Sequence, residues 1–215
     1  MSRPISICIV LDRSGSMEVC RGEAVQAVNS YLNKVRDDHI EARVTILLFD
    51  DSGIDTIRDG VPITVCANLT PIEFQPRGST PLFDAIAVGV LTLDRALNTR
   101  WKFLAIVTDG QENASREYTA ASLSALLKRR HEDDHWTVLY LGTGHATGAE
   151  AEDVGIRREA VATFAVSAFG TAAEVMSRAT VVASSVSPKT FAITTEERAD
   201  LAGGQQPKEG SQSQD

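Results

Sequence analysis

Asp12, Ser14 and Ser16 form a D-x-S-x-S pattern at the end of an apolar run, within LDRSGSM at 11–17. A second polar group, RGSTPLFDA, places Thr80 just before Pro81 and an amphipathic segment. A third, TDGQEN, puts Asp109 at the end of another apolar run. All three supply hard oxygen ligands on short side chains that backbone turns can hold, as a small divalent cation such as Mg2+ requires. Two carboxylates about 5 Å apart repel by roughly 3 kcal/mol at an effective dielectric of 20, and a cation relieves that strain. With few carboxylates and several hydroxyls around it, the ion keeps net positive character, so an open position could accept an anionic oxygen from outside. Each residue also has a purely structural reading. Asp12, Ser14 and Gly15 suit a turn, Ser16 suits a helix N-cap, Thr80-Pro81 suits an N-cap followed by proline at the first helical position, and Asp109-Gly110 suits a turn.

Such groups act together only if a scaffold brings them to one edge. ISICIVLD (5–12), RVTILLFD (43–50), KFLAIVTDG (102–110) and WTVLYLGTG (136–144) are nearly continuous apolar runs. Continuous rather than alternating hydrophobicity marks strands covered on both faces, as in a parallel sheet. VPITVCANL (61–69) follows the second run after a turn too short for a crossover helix, which predicts a hairpin with an antiparallel edge strand. AVATFAV (160–166) predicts a last strand. Val25, Val28, Leu32 and Val35 share one face of a predicted helix over 22–38; Leu82, Ile86, Val90, Leu93 and Leu97 do so over 81–98. Further helices are expected over 117–131, 146–154 and 169–186. Alternation of strand and helix gives an α/β class, doubly wound, with a mostly parallel central sheet and helices on both faces. Ligands of such sheets bind beyond the carboxyl ends of the strands, where strand order reverses, and all three polar groups are predicted there.

Composition narrows the partners. Lys and Arg number 21 against 29 Asp and Glu, a formal net charge of −8, which argues against a nucleic-acid partner and suits a cation or a basic protein surface. No apolar window is long enough to span a bilayer, and the first residues lack the form of a signal peptide. The three cysteines, Cys8, Cys20 and Cys66, have no C-x-x-C spacing and read as packing residues of a reducing compartment, so a cytoplasmic location is expected. The sequons at Asn68 and Asn113 carry no meaning there. One domain is expected over residues 1–187, then an extension over 188–202 in which Thr194 and Glu197 are spaced as a capping box, then a disordered Gly/Gln/Ser-rich tail over 203–215.

D-x-S-x-S after a first strand, a threonine before a later helix and T-D-G after the next strand together resemble the metal-ion-dependent adhesion site of the von Willebrand factor A (vWA) family. The resemblance covers about residues 4–187, and GSTPLFDA and IVTDGQEN look like bacterial, intracellular members. It implies a strand order of 3-2-1-4-5-6. It also implies that Ser14, Ser16 and Thr80 ligate Mg2+ directly (Ca2+ or Mn2+ as substitutes), with Asp12 and Asp109 acting largely through bound waters. A partner protein's Asp or Glu carboxylate would complete the coordination, which makes this a non-enzymatic interaction or adaptor domain. The family suggests an AAA+ ATPase or a stress or defence component as partner. The alternative is a metal-assisted phosphohydrolase with Asp12 as nucleophile, but that pattern wants a second aspartate two positions on, where this chain has Ser14.

Other patterns read as decoys. HEDDH (131–135) matches H-E-x-x-H, but the segment runs at once into the strand at Trp136, which puts His135 past the helix end and at the opposite sheet edge. GTGHATG (142–148) imitates a dinucleotide loop but follows the fifth strand, not the first; His145 would sit at the rim of the cleft or on a plain surface loop. Asp50 and Asp51 either deepen the negative field or shape the hairpin, and Asp84 suits the first turn of its helix, with support of Thr80 a secondary role. The basic run at 128–130 suits a helix C-terminus.

Overall fold

The computed structural model describes residues 3–97, 99–143, 145–185 and 191–203. Six strands form one sheet: β1 (Ile5–Asp12), β2 (Ala42–Asp50), β3 (Gly53–Pro62), β4 (Trp101–Thr108), β5 (Trp136–Thr143) and β6 (Val161–Phe164). Their order is β3-β2-β1-β4-β5-β6, parallel throughout except for the antiparallel β2–β3 pair. The helices are α1 (Arg21–Asp37), α2 (Leu82–Arg95), α3 (Ala120–His131), α4 (His145–Asp153), α5 (Phe169–Ser185) and α6 (Thr195–Leu201).

Every residue of β1 is buried, because the strand has a core on each face. Ile5, Ile7, Ile9 and Leu11 pack with α1 and α5, while Cys8 and Val10 pack with α2. Side chains alternate between faces along a strand, so apolar residues at every position are what a doubly covered strand needs. At about 1.5–3 kcal/mol for each fully buried aliphatic side chain, the central strands are the best-anchored parts of the chain. Helix α2 lies very close to them. A Cβ on Gly89 would come 2.7 Å from Val10 Cγ2 and 2.9 Å from Leu104 Cδ1, so glycine is required for this approach. The fit seats α2 over β1 and β4 and carries its N-terminus to their carboxyl ends.

The edge strand differs from expectation. It is Gly53–Pro62, joined to β2 by the two residues Asp51 and Ser52, while 63–65 is a 3-10 turn rather than part of a strand. Edge strand β3 is half exposed along its length, so it needs no continuous apolar run. The apolar residues of VPITVCANL are used otherwise: Ile63, Cys66 and Leu69 bury into the core on the α1 side. Helix α3 begins at Ala120 rather than 117, because Thr119 caps it reciprocally with Ser122 and the amides of Glu117 and Tyr118 are taken by Asp84. The expected capping box of Thr194 and Glu197 starts α6, and Phe191, Ile193 and Leu201 enter the main core. The tail beyond 203 lies outside the described residues, as does the boundary at 187–188. Among the described residues no helix is long and apolar enough to cross a membrane.

Candidate functional site

Strands β1 and β4 are parallel neighbours in register Leu11↔Val107, so Asp12 stands beside Thr108 and Asp109 follows one residue later. Asp12 is fully buried. Its Oδ1 accepts from the Ser14 amide at 2.7 Å and its Oδ2 accepts from Thr108 Oγ1 at 2.5 Å. Ser14 Oγ and Ser16 Oγ lie 3.1 Å apart, and Ser16 Oγ donates to Asp109 Oδ1 at 2.7 Å. A run of hydroxyls therefore connects the first polar group to the third.

Thr80 arrives from the second group. Its amide donates to Asn113 Oδ1 at 2.8 Å and its carbonyl accepts from the Asn113 amide at 3.1 Å, which clamps it to the loop after Asp109. Gly110 reports the spacing inside the cup. A Cβ there would come 2.9 Å from Thr80 Oγ1 and 3.6 Å from Asp12 Oδ2, so the absence of a side chain keeps open the space between them. Asp12, Ser14, Ser16, Thr80 and Asp109 are thus brought near one another at the β1/β4 switch.

The capping readings of the hydroxyls do not hold. The 3-10 turn Gly15–Cys20 has Ser14 at its N-cap with no side-chain cap bond, and α2 has Pro81 at its N-cap, also without one. The first amides of α2 are met from elsewhere: Phe83 N–H donates to Glu112 Oε2 and Asp84 N–H donates to Ser115 Oγ. Glu112 also accepts from the Ala114 and Ser115 amides, and Asp84 accepts in turn from the amides of Arg116, Glu117 and Tyr118. These two carboxylates brace the loop from Asp109 to α3 against the start of α2 and leave the hydroxyl of Thr80 free of a capping duty.

Among the described residues no cationic side chain pairs with Asp12 or Asp109. Burial pushes Asp12 up to about 6 despite the Thr108 and Ser14 bonds, and Asp109 adds to the rise; burial likewise raises Asp109 above the ordinary carboxylate range. Asp50, at the end of the adjacent strand, behaves oppositely. Burial alone would raise it, but the Ser52 amide, Arg13 and Arg77 outweigh that and hold it below its ordinary value. Arg13 Nε and Nη2 reach Asp50 Oδ2 at 2.8 and 2.7 Å, Arg13 Nη2 reaches Asp55 Oδ2 at 2.7 Å, and Arg77 Nε reaches Asp50 at 3.0 Å.

Backbone bonds extend this network between the loops that carry the candidate site residues. Arg77 N–H donates to Arg13 O, and Gly15 N–H donates to Gly78 O. Gly78 has φ +66°, a left-handed conformation that favours glycine, with the Asp51 carboxylate lying against it. Asp50 therefore ties the loops together, its charge answered by Arg13 and Arg77. Arg13, Asp50, Arg77, Glu112, Asn113 and Thr108 are the supporting residues that motif spacing does not reveal.

The decoys resolve as expected where they are described. Helix α3 ends at His131, and His135 lies beyond it with its ring 4.7 Å from Trp101 and Nδ1 2.5 Å from Asp133 Oδ1. The two histidines share no helix face. Arg130, in the last turn of α3, pairs with Asp94 of α2. Gly144 and the side chains of 145–148, which complete GTGHATG, lie outside the described residues. Among the described residues no group of three or more His, Cys, Asp or Glu is placed to hold a metal ion, so a site here must draw on hydroxyls.

Comparison with solved structures decides the architecture. The chain is similar to the von Willebrand factor type A structure from Catenulispora acidiphila, with TM-score 0.64 at 15% identity over 85% of this chain and 43% of that one. The chain has the von Willebrand factor A fold. The vWA assignment is repeated by the vWF domain of the type V pili tip protein Mfa5 from Porphyromonas gingivalis, with TM-score 0.66, 9% identity and coverage of 83% and 95%. The pilus adhesin SpaC from Lactobacillus rhamnosus GG matches with TM-score 0.67 and 15% identity over 83% of this chain and 31% of its own. The chain spans less than half the length of the Catenulispora and SpaC chains. No protein-family model and no curated protein matches the sequence. Identities this low establish the vWA fold and leave activity to the site.

Proposed function

We propose that this vWA domain is a non-enzymatic, Mg2+-dependent protein-interaction module that captures a partner's Asp or Glu carboxylate at the cup of Asp12, Ser14, Ser16, Thr80 and Asp109. One observation carries the reading. Among the described residues the fully buried Asp12 and the half-buried Asp109 have no cationic partner, are joined by hydroxyls that cap no helix, and flank a space that Gly110 keeps open. That donor set fits a hard divalent ion of the Mg2+ type. Ser14, Ser16 and Thr80 would hold the ion through their hydroxyls, and Asp12 and Asp109 would act on it largely through water. When bound, the ion supplies the positive charge that an incoming carboxylate needs. A cleft of about 350 Å³ lined in part by Ile54, Val88, Tyr118 and Pro81, the residue after Thr80, would offer apolar surface to the same partner.

The phosphohydrolase reading has less support. Ser14 stands two positions after Asp12, where that chemistry wants a second carboxylate to protonate the leaving group, and Asp12 itself is fully buried. The three free, buried cysteines suit a reducing, cytoplasmic setting. The vWA resemblance points to an AAA+ ATPase or a stress or defence component as the kind of protein captured. Calorimetry with Mg2+ on the wild type and on Asp12→Ala tests the site. Saturable binding lost in the variant, with an unchanged circular dichroism spectrum, is expected. Undiminished Mg2+ affinity in a folded Asp12→Ala protein overturns the assignment.

A further inference from the structure

The sheet face beneath α2 is apolar near the metal cup, with Cys8, Val10, Leu47 and Phe49, and turns polar toward the opposite edge. Helix α2 stops at Arg95, and below its end lies a cavity of about 590 Å³ whose lining includes Ser6, Arg43, Thr45, Asp59 and Arg95. That volume falls within the usual range for small-molecule sites, roughly 300–1,000 Å³. The lining is built rather than incidental. Thr45 is buried, and its Oγ1 accepts from the Gly60 amide at 3.0 Å across an irregularity in the β2–β3 pairing, which leaves its proton for a guest. Gly60 adopts φ +55° to make that bond.

The charge here runs against the rest of the molecule, whose formal net charge is −8. Among the described residues no hydrogen bond or ion pair engages the guanidinium of Arg43 or Arg95, or the carboxylate of Asp59. The nearby ammonium of Lys102 donates to the Ala96 carbonyl and so answers the C-terminal end of α2, which would otherwise repel an anion. Guanidinium forks suit phosphate oxygens, and a lone carboxylate among them suits a hydroxyl or amine donor.

We propose that this cavity binds a small organic phosphate, its phosphoryl group held by Arg43 and Arg95 and a hydroxyl or amine of its body held by Asp59. Ser6 and Asp12 lie six residues apart on β1, so the cavity and the metal cup are separated by about 20 Å of strand. The test is calorimetry on the full chain in EDTA, so that no metal ion at the other edge recruits the phosphate. Ribose 5-phosphate, AMP, inorganic phosphate and ribose are titrated separately. Saturable binding of ribose 5-phosphate or AMP, tighter than inorganic phosphate and absent for ribose, is expected. Affinity should fall about tenfold or more in Arg43→Gln and in Arg95→Gln, since each removes charge-assisted bonds. Both arginines are exposed, so these variants should melt like the wild type without ligand. Asp59→Asn should lose the preference for organic over inorganic phosphate. No saturable binding at millimolar concentration, binding of inorganic phosphate alone, or affinity unchanged in the arginine variants overturns the proposal.

Discussion

Asp50→Asn tests whether the buried ion network, rather than the hairpin turn, holds the candidate-site loops together. The substitution keeps the side-chain shape and an acceptor for the Ser52 amide, 2.8 Å away, and removes the charge that faces Arg13 and Arg77. Breaking one side of a buried pair costs about 3–5 kcal/mol. Here Arg13, its side chain 6% exposed, retains Asp55, which is 54% exposed and a weaker partner. The Arg77 side chain is 54% exposed, so that arm adds no more than about 1 kcal/mol. The expected loss is therefore near the lower end, about 3 kcal/mol, or a fall of about 6–12 °C in thermal midpoint for a chain of this size. Urea denaturation at pH 7 measures it, with an unchanged m-value. The pH dependence follows from the sign of the shift. Asp50 is held below its ordinary 3.8, so its contribution is complete above about pH 4 and is lost as pH falls through the lower folded value. The gap between wild type and variant should close in strong acid. A loss under about 1 kcal/mol at pH 7, or a gap that persists unchanged at low pH, would refute the reasoning.

Gly110→Ala should weaken Mg2+ binding by about tenfold or more, because the new methyl would sit 2.9 Å from Thr80 Oγ1 and displace that hydroxyl. Metal-free stability should stay within about 1 kcal/mol of wild type; calorimetry and thermal melts separate the two effects. Glu112→Gln removes the charge that accepts from the Phe83, Ala114 and Ser115 amides and the Ser115 hydroxyl. A loss of about 1–2 kcal/mol is expected, with faster hydrogen exchange confined to those amides and the start of α2.

Strands buried on both faces announce themselves, since each position of ISICIVLD must satisfy one core or the other. The edge strand does not. GIDTIRDGVP alternates irregularly between half-exposed and exposed positions and contains a pairing irregularity near Gly60, so no period marks it. The neighbouring VPITVCANL is the more apolar stretch, yet it packs as a loop through Ile63, Cys66 and Leu69. The site divides the same way. Its five candidate ligands are legible because strand ends and short polar motifs are local features. Arg13 and Asp50 meet across 37 positions of sequence, and Thr80 and Asn113 across 33, so their pairing exists only once the sheet order is set.

Three aspartates stand at or just beyond the carboxyl ends of three consecutive strands of the sheet, and in sequence they look alike. Asp50 ends β2, Asp12 ends β1 and Asp109 follows β4. In the folded chain they divide into two kinds. Asp50 is fully buried and met by two guanidinium groups, and its proton affinity falls. Asp12 is equally buried but met only by a backbone amide and hydroxyls, and its proton affinity rises; Asp109 follows it. Arg13 lies one residue from Asp12 yet turns away to Asp50. The result is a carboxylate pair with no cationic partner among the described residues, next to a space held open by Gly110. Asp12 still serves its turn through the Ser14 amide, and the proposed divalent-cation cup would use the unpaired charge of both carboxylates.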